Sequence, residues 1–469
     1  MKKASSIFKL IFARCWIRPV CFVIITWLFL CPAVRAQTTW YVATDGSDAS
    51  HSGTNGWADA YLTISNAVAK SSSSDEIWVA AGEYVLTTKI SIPAGKNIHL
   101  LGVDGRDLTT INANNTGAGM YVFDGRVGGF TITNGSDSGV YITNAIMTNC
   151  IIAGNRDTWY GGGVNLGDGG VLSNCIVRGN RVTTDRGGGV YVANGGQVWN
   201  CWIENNISSS NGGGCYILLG GLVRNSAISG NTAAYHSGGA YVWGELSHST
   251  ISSNTARFAG GAYLESSASG LYNSTICGNT ALLTLPGITN AAGGVYLSTG
   301  CRMTNCLIYG NQALNGSGGG VVLVRNGDVD SCTIVGNTAN RGGGIYSYWS
   351  SSGTMYVRNT IVYSNEATTG PNWWYEVGSQ YTYFTNCCIT NTTMPLGSGF
   401  ITNSPKFVDP PNNNYRLEEG SPCINAGLNQ SWMAGAKDLD DHLRLDRFYG
   451  IVDIGAYEYV AQGTFFSFH

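Results

Sequence analysis

No lysine occurs between Lys96 and Lys406, and charged residues of both signs make up only 12% of the chain. Residues 1–36 hold six basic residues and no acid, leaving 20 basic against 29 acidic residues in the remainder, so the imbalance beyond residue 36 is negative. The net negative charge beyond residue 36 makes nucleic acid and anionic membranes poor partners. There is no CxxC and no pair of histidines at ligand spacing, which removes the usual sequence signs of zinc. No apolar run is long enough to span a bilayer: Val20 to Leu30 counts eleven residues, where about twenty are needed. Apolar residues at helical spacing are missing from the middle of the chain, and glycine, 65 of 469 residues, opposes helix throughout.

What is present is a repeat. Between Ile151 and Asn365 a β-branched apolar residue, two small or polar residues and an asparagine recur nine times, at Asn155, Asn180, Asn206, Asn231, Asn254, Asn279, Asn311, Asn337 and Asn365, in steps of 25, 26, 25, 23, 25, 32, 26 and 28. A fixed period of this size predicts a stack of identical units, none able to bury its apolar face alone. Five residues before each asparagine stands Cys, Ser or Thr, and three before it Ile or Val, while the position between, from Ile151 and Ile176 to Leu307, Thr333 and Ile361, is unrestricted. Restricted, free, restricted is the alternation of a strand with one buried face. Each unit opens on a glycine pair or triplet, then a short strand such as Val190-Tyr191-Val192, and a third short run joins the two.

Three short strands in about 25 residues predict an all-β fold, a right-handed parallel β-helix solenoid whose coils lie about 4.8 Å apart. Stacked asparagines are then expected to form a ladder, each amide bonding the next. A second column, Asn149, Asn174, Asn200, Asn225, Asn273, Asn305 and Asn359, supports the same reading, with His248 and Ser331 as substitutes in it. Ala60 to Lys70 predicts a short amphipathic helix capping the first coils.

Residues 1–36, with their basic start, apolar stretch and Val34-Arg35-Ala36, read as an export signal cleaved before Gln37. The expected organisation is therefore signal 1–36, cap and first coils 37–120, regular coils 121–400 and a terminal segment 401–469, with the protein secreted or at the outer cell surface. Eleven cysteines follow the signal. Five fill the inward column as small thiols, and stacked neighbours such as Cys150 and Cys175 come close enough to oxidise if their side chains turn. The states of Cys387, Cys388 and Cys423 stay open.

Tyr41-Val-Ala-Thr-Asp-Gly-Ser-Asp48 followed by Asp75-Glu-Ile-Trp-Val-Ala-Ala-Gly-Glu-Tyr84 resembles the start of secreted pectate-lyase-like right-handed β-helix proteins. Gly230-Asn-Thr-Ala233 leading to Gly238-Gly-Ala-Tyr241 resembles the repeats of polymorphic outer-membrane proteins, without their membrane barrel. Ser404-Pro-Lys-Phe-Val-Asp-Pro410, Gly420-Ser-Pro-Cys-Ile-Asn-Ala-Gly427 and Val452-Asp-Ile-Gly-Ala-Tyr-Glu458 are similar to the terminal segment of choice-of-anchor β-helix proteins. These resemblances imply the β-helix and secretion.

Lyases of the resembled fold require clustered aspartates for calcium and a basic residue near the sugar, and glycoside hydrolases require carboxylates at set separation. The coil acids Asp157, Asp168, Asp185, Glu204, Glu245, Glu265, Asp328 and Asp330 are scattered, so no catalytic residue is assigned. Tyr191, Tyr216, Tyr241, Tyr263, Tyr296 and Tyr346 follow the glycines between two inward positions and are expected to face outward, as a stripe for flat sugar faces or as a ladder shielding a strand. Interruptions of the repeat, Leu282 to Ala292 and Ala367 to Phe384 with Trp373-Trp374, are candidate binding loops. Asp438, Asp440 and Asp441 are a calcium candidate that lacks the spacing of a known loop, and no other cofactor is expected. The expectation is a binding or adhesive scaffold with a polysaccharide or surface glycan as partner, the alternative being a carbohydrate-active lyase or hydrolase.

Overall fold

The computed structural model describes residues 36–282, 290–348, 353–376, 381–390, 393–445 and 450–460. The predicted signal, up to residue 35, lies outside them, and the compact unit that holds the coils begins at Thr38. The chain winds as a parallel β-solenoid of about twelve coils of roughly 25 residues. Sheet A has fifteen strands, from Thr39–Val42 to Leu396–Ser398; sheet B thirteen, from Gly82–Val85 to Cys388–Ile389; sheet C twelve, from Ile90–Ile92 to Trp373–Tyr375. To these three, a fourth sheet, D, of nine short strands from Arg156–Asp157 to Glu366–Thr369 adds a pairing the sequence pattern did not announce.

A coil runs through sheets C, A, B and D in that order. In one coil Val190 and Val192, then Val198, then Ile203 point inward and are fully buried, whereas Tyr191, Trp199 and Trp202 point away. In-register pairing repeats this alternation from coil to coil, so the inward residues merge into one core from Val42 to Ile389. The near end is closed by the helix Ile64–Lys70, which buries Ile64, Ala67 and Val68 and is capped by the Thr63 hydroxyl accepting from the Asn66 amide at 3.2 Å. Lys96 donates to the Val68 and Ala69 carbonyls at its other end, where a cation complements the helix dipole.

The nine asparagines are buried and linked. In each step one Oδ1 accepts from both the backbone amide and the Nδ2 of the asparagine one coil earlier, at 2.9 and 3.0 Å for Asn231 accepting from Asn206. Each Nδ2 also donates to the carbonyl of an inward residue, as Asn231 does to Ile203 at 2.9 Å. A tenth member, Asn372, accepts from Asn365 at 3.1 and 3.0 Å, although only seven residues separate them.

The second column recurs for a different reason. Asn149, Asn174, Asn200, Asn225, His248, Asn273, Asn305, Ser331 and Asn359 all have φ between 45° and 57°, forming a one-residue corner between sheets A and B. Asparagine tolerates this left-handed conformation better than most residues. Side-chain links within the column join Asn305 to Asn273 at 2.7 Å and Asn273 to His248 at 3.0 Å, so backbone conformation, more than a continuous ladder, accounts for the asparagines here.

Residues 402–445 and 450–460 leave the solenoid, and part of them lies over the outer side of sheet B. There Leu307, Thr333 and Ile361, outward and unrestricted by sequence, are only 4%, 1% and 1% exposed. Leu417, Cys423, Ile454, Ala456 and Tyr457 cover them, and the Ala456 amide donates to the Thr333 hydroxyl at 3.0 Å. Asp438, Asp440 and Asp441 belong to this segment and do not converge. Asp438 accepts from the backbone amides of Asp440, His442 and Glu458, Asp440 pairs with Arg416, and Asp441 with Lys437. Among the described residues no cluster of three or more metal-ligating side chains forms, and no helix is long and apolar enough to cross a membrane.

Candidate binding face

Three outer faces are candidates, and each is built by one sheet. On sheet C the tyrosines point away from the core, but they stack on one another. Centroids of Tyr191, Tyr216, Tyr241, Tyr263 and Tyr296 follow at 5.7, 4.9, 5.1 and 4.6 Å, with rings within 7° of parallel. In-register strands about 4.8 Å apart leave room between such rings for nothing else. The stripe therefore differs from an open aromatic surface: Tyr216, Tyr241, Tyr296 and Tyr346 are buried. Their hydroxyls are engaged too, Tyr216 accepting from Arg186 and Tyr241 donating to Glu265, both at 2.9 Å. Burial, with Glu265 adding to it, raises the Tyr241 hydroxyl far above its ordinary value.

Trp373-Trp374-Tyr375 is the last strand of this sheet, paired with Ile345–Ser347, and not a loop. Trp373 faces the core, 2% exposed against Phe384, so it is not a surface ligand; Trp374 continues the outer column beyond Tyr346. Residues 283–289 and 377–380 of the two candidate loops lie outside the described residues.

At the edge of the tyrosine column His236 sits among Tyr235, Phe258, Tyr263 and Tyr241, at 4.4 to 5.9 Å between centroids. Burial alone lowers its pKa from 6.5 to about 4. Between those values the unfolded chain binds a proton that the folded chain refuses, so stability falls as pH falls through the window. The slope should reach about 1.4 kcal/mol per pH unit. His236→Phe should flatten that part of the pH–stability curve relative to the unmodified chain; equal curves would refute the burial argument.

Sheet B is covered over its last coils, as described. Sheet A is not. Its two outward columns place Trp199, Tyr356 and Tyr383 at 39%, 41% and 37% exposure among charged side chains. Glu245, Gly270, Arg302, Asp328, Tyr356 and Tyr383 share one column, and Arg224, Ser247, Tyr272, Thr304, Asp330 and Arg358 the other. Where residues 430–437 overhang this face they enclose a cleft of about 450 Å³, floored by Tyr272, Arg302, Asp328 and Arg358 and walled by Trp432 and Lys437. A shallower depression of about 780 Å³, around His99, Arg126, Ile146 and Val171, lies nearer the start of the same sheet.

Within the cleft Arg358 bridges two carboxylates, 3.3 Å from Asp328 and 3.2 Å from Asp330. Asp330 also accepts from Gln430 at 2.6 Å and from Ser331 at 2.9 Å, so both its oxygens are occupied and it ties the overhang to the sheet. Asp328 has Arg302 at 3.9 Å besides Arg358. Arg302 and Lys437 remain 70% and 54% exposed, accessible to a ligand. Glu245, on sheet A, pairs with Arg224 at 2.8 Å, whereas Glu265 follows the sheet C strand Ala262–Leu264 and bonds Tyr241. In the sequence Glu245 and Asp328 look unrelated because their shared column appears only once the 32-residue step is aligned.

The family model described as "Right handed beta helix region" matches residues 143–284 and 200–362, and the fold is a right-handed β-helix. No curated protein matches the sequence. Among solved structures, pectate lyase Pel9A is similar at 16% identity over 90% of this chain and 96% of that one, with a TM-score of 0.40. The A-module of the Azotobacter vinelandii mannuronan C-5 epimerase AlgE6 is similar at 14% identity over 71% and 92%, TM-score 0.38. A rhamnogalacturonan lyase is similar at 13% over 91% and 97%, TM-score 0.30. At these values the likeness is one of fold alone.

Proposed function

We propose that the protein is an exported or cell-surface β-helix scaffold that binds a polysaccharide along the outer face of sheet A. One observation carries this: on sheet A the exposed rings Trp199, Tyr356 and Tyr383 stand in the same outward columns as the charged residues that floor the cleft. Aromatic faces suit the apolar faces of pyranose rings, and flanking charges and amides suit their hydroxyls. Parallel strands repeat these groups along the solenoid axis, which fits a linear polymer better than a compact ligand.

Replacing Trp432 and Tyr356 by alanine should weaken polysaccharide binding in a glycan panel by about tenfold or more, roughly 1.4 kcal/mol, with the fold intact. Tyr241→Ala, deep in the ring stack, should lower stability and leave binding unchanged. Loss of binding in Tyr241→Ala alone would move the site to sheet C. Export is the second part of the proposal: protein recovered from an exporting host should begin at Gln37, and a mature fraction beginning at Met1 would remove it.

A second reading, a carbohydrate-active enzyme, is favoured by Asp328 and Asp330 standing two residues apart on one strand with both carboxylates against Arg358, since glycosidic cleavage uses a pair of carboxyl groups. Against it, Asp330 has no free oxygen to exchange a proton with a sugar. Release of reducing-end or unsaturated products, abolished in Asp328→Asn, would establish it.

A further inference from the structure

Ten of the eleven described cysteines belong to the solenoid, and Cys423 comes from the segment laid over sheet B. Cys387 and Cys388 are consecutive on the last strand region of sheet B and face opposite ways. Cys387 joins the solenoid core, while Cys388 joins the apolar cluster between that sheet and the overlying segment. Cys423 enters the same cluster from the other side, and both are fully buried. They share that cluster with Ile361, Leu417 and Ile454, and the Cys388 thiol donates to the Asn403 carbonyl of the overlying segment at 3.4 Å.

The other close pairs differ in kind. Cys150 and Cys175, and Cys306 and Cys332, stack in register on adjacent coils, where Cys175 and Cys332 sulfurs accept from the Cys150 and Cys306 backbone amides at 3.4 Å. Their Cβ spacing is held near the strand spacing of about 4.8 Å, beyond the 3.5–4.5 Å that a disulfide takes. A bond there would join strands already paired through their backbones.

We infer that Cys388 and Cys423 form a disulfide that staples the terminal segment to the last coil when the protein folds under oxidising conditions. The co-reactant is a disulfide donor, small-molecule or protein. One cysteine thiolate attacks the donor disulfide, releasing one donor thiol and leaving a mixed disulfide. The second thiolate then displaces the other donor thiol, so that two cysteine protons are lost, the pair is oxidised and the donor is reduced by two electrons. The neighbouring thiol and burial raise the Cys388 thiol far above its ordinary value, so the exchange belongs to the docking step, before the thiols lose contact with solvent. Once made, the bond is shielded from reductants by the same cluster. The bridge closes a long loop, the situation in which a cross-link most restricts the unfolded chain.

The test uses the full chain folded in a buffer of reduced and oxidised glutathione, then unfolded and alkylated without reductant. Nine of the eleven cysteines beyond the signal should be alkylated, and one cross-linked peptide should contain Cys388 and Cys423. Cys423→Ser should abolish the linkage without creating another, and Cys175→Ser should leave it in place. Reduction, or Cys423→Ser, should speed protease cleavage within residues 401–460 by on the order of a hundredfold. Eleven alkylated cysteines after glutathione treatment, or a linkage spread over the stacked core pairs, would overturn the inference.

Discussion

Arg444→Met should release the terminal segment from the solenoid. Arg444 is fully buried and its guanidinium joins three parts of the chain. It donates to Glu458 at 2.7 Å, to the Gly455 carbonyl at 2.8 Å and to the Ser331 carbonyl at 3.2 Å, and it also bonds the Asn305 side chain. Asn305 and Ser331 are corner residues of two successive coils, so one side chain fastens the segment across both. Methionine removes the charge while keeping most of the volume, and leaves Glu458, whose pKa burial raises to about 7 even beside Arg444, without its counter-charge. Breaking one half of such a pair costs about 3 to 5 kcal/mol. The loss should be local: residues 401–460 become protease-sensitive and Leu307 and Ile361 become exposed, read as increased binding of a hydrophobic dye, while the coils keep their cooperative unfolding. Glu458→Gln added to Arg444→Met should recover part of the loss, because the uncompensated charge is gone. An unchanged cleavage pattern in the single variant would mean that the apolar contacts alone hold the segment.

The repeat, the inward columns and the asparagine positions were legible in sequence because stacking imposes one period on every residue that touches the core. Asn155 to Asn365 need only a common register to be recognised. Two features were not legible, for two physical reasons. The burial of Tyr216, Tyr296 and Tyr346 depends on rings of neighbouring coils and on turns such as Ala259 and Ala292 packed beside them, a relation no single coil contains. The covering of Leu307, Thr333 and Ile361 depends on residues about 60 to 150 positions later in the chain, and the variety at that column reads as freedom because only the last coils are covered. The cleft on sheet A combines both difficulties. Its floor requires alignment of Arg302, Asp328 and Arg358 across unequal coils, and its wall, Trp432 and Lys437, comes from the segment whose docking the local pattern hides.

Docking and the proposed binding face are thus one structural problem. Gln430 bonds Asp330, and Trp432 stands two residues further on, so the overhang that completes the cleft is fixed to the sheet through the same carboxylate that Arg358 holds. A variant that frees the segment, such as Arg444→Met, should therefore also lose polysaccharide binding, although Arg444 itself lies beneath sheet B's cover and outside the cleft.

The core itself should be most sensitive at the asparagine ladder. Asn231→Ala removes one Oδ1 that accepts from the Asn206 backbone amide and from Asn206 Nδ2, and one Nδ2 that donates to the Ile203 carbonyl and to Asn254. Two donors and one carbonyl are then left in a fully buried site, at about 1 to 3 kcal/mol for each group that finds no new partner. A water entering the vacated space would satisfy some of them, so a total of about 3 kcal/mol is expected. Thr275→Ala, at an outward position of the neighbouring strands, should stay within about 0.5 kcal/mol. Asn231→Asp makes the sharper test because it keeps the shape. The carboxylate still accepts from Asn206, but its second oxygen faces the Ile203 carbonyl and Asn254 Oδ1 with no proton to offer. At neutral pH this variant should be less stable than Asn231→Ala, since it buries an unpaired charge as well as opposing lone pairs. Below the carboxyl pKa, which those surroundings raise, a proton restores a donor and the deficit should shrink. Denaturant midpoints for the three variants at pH 7, and for the aspartate variant as pH is lowered, measure this ordering; an aspartate as well tolerated as asparagine at neutral pH would show that the ladder does not run in the donor-to-acceptor sense described.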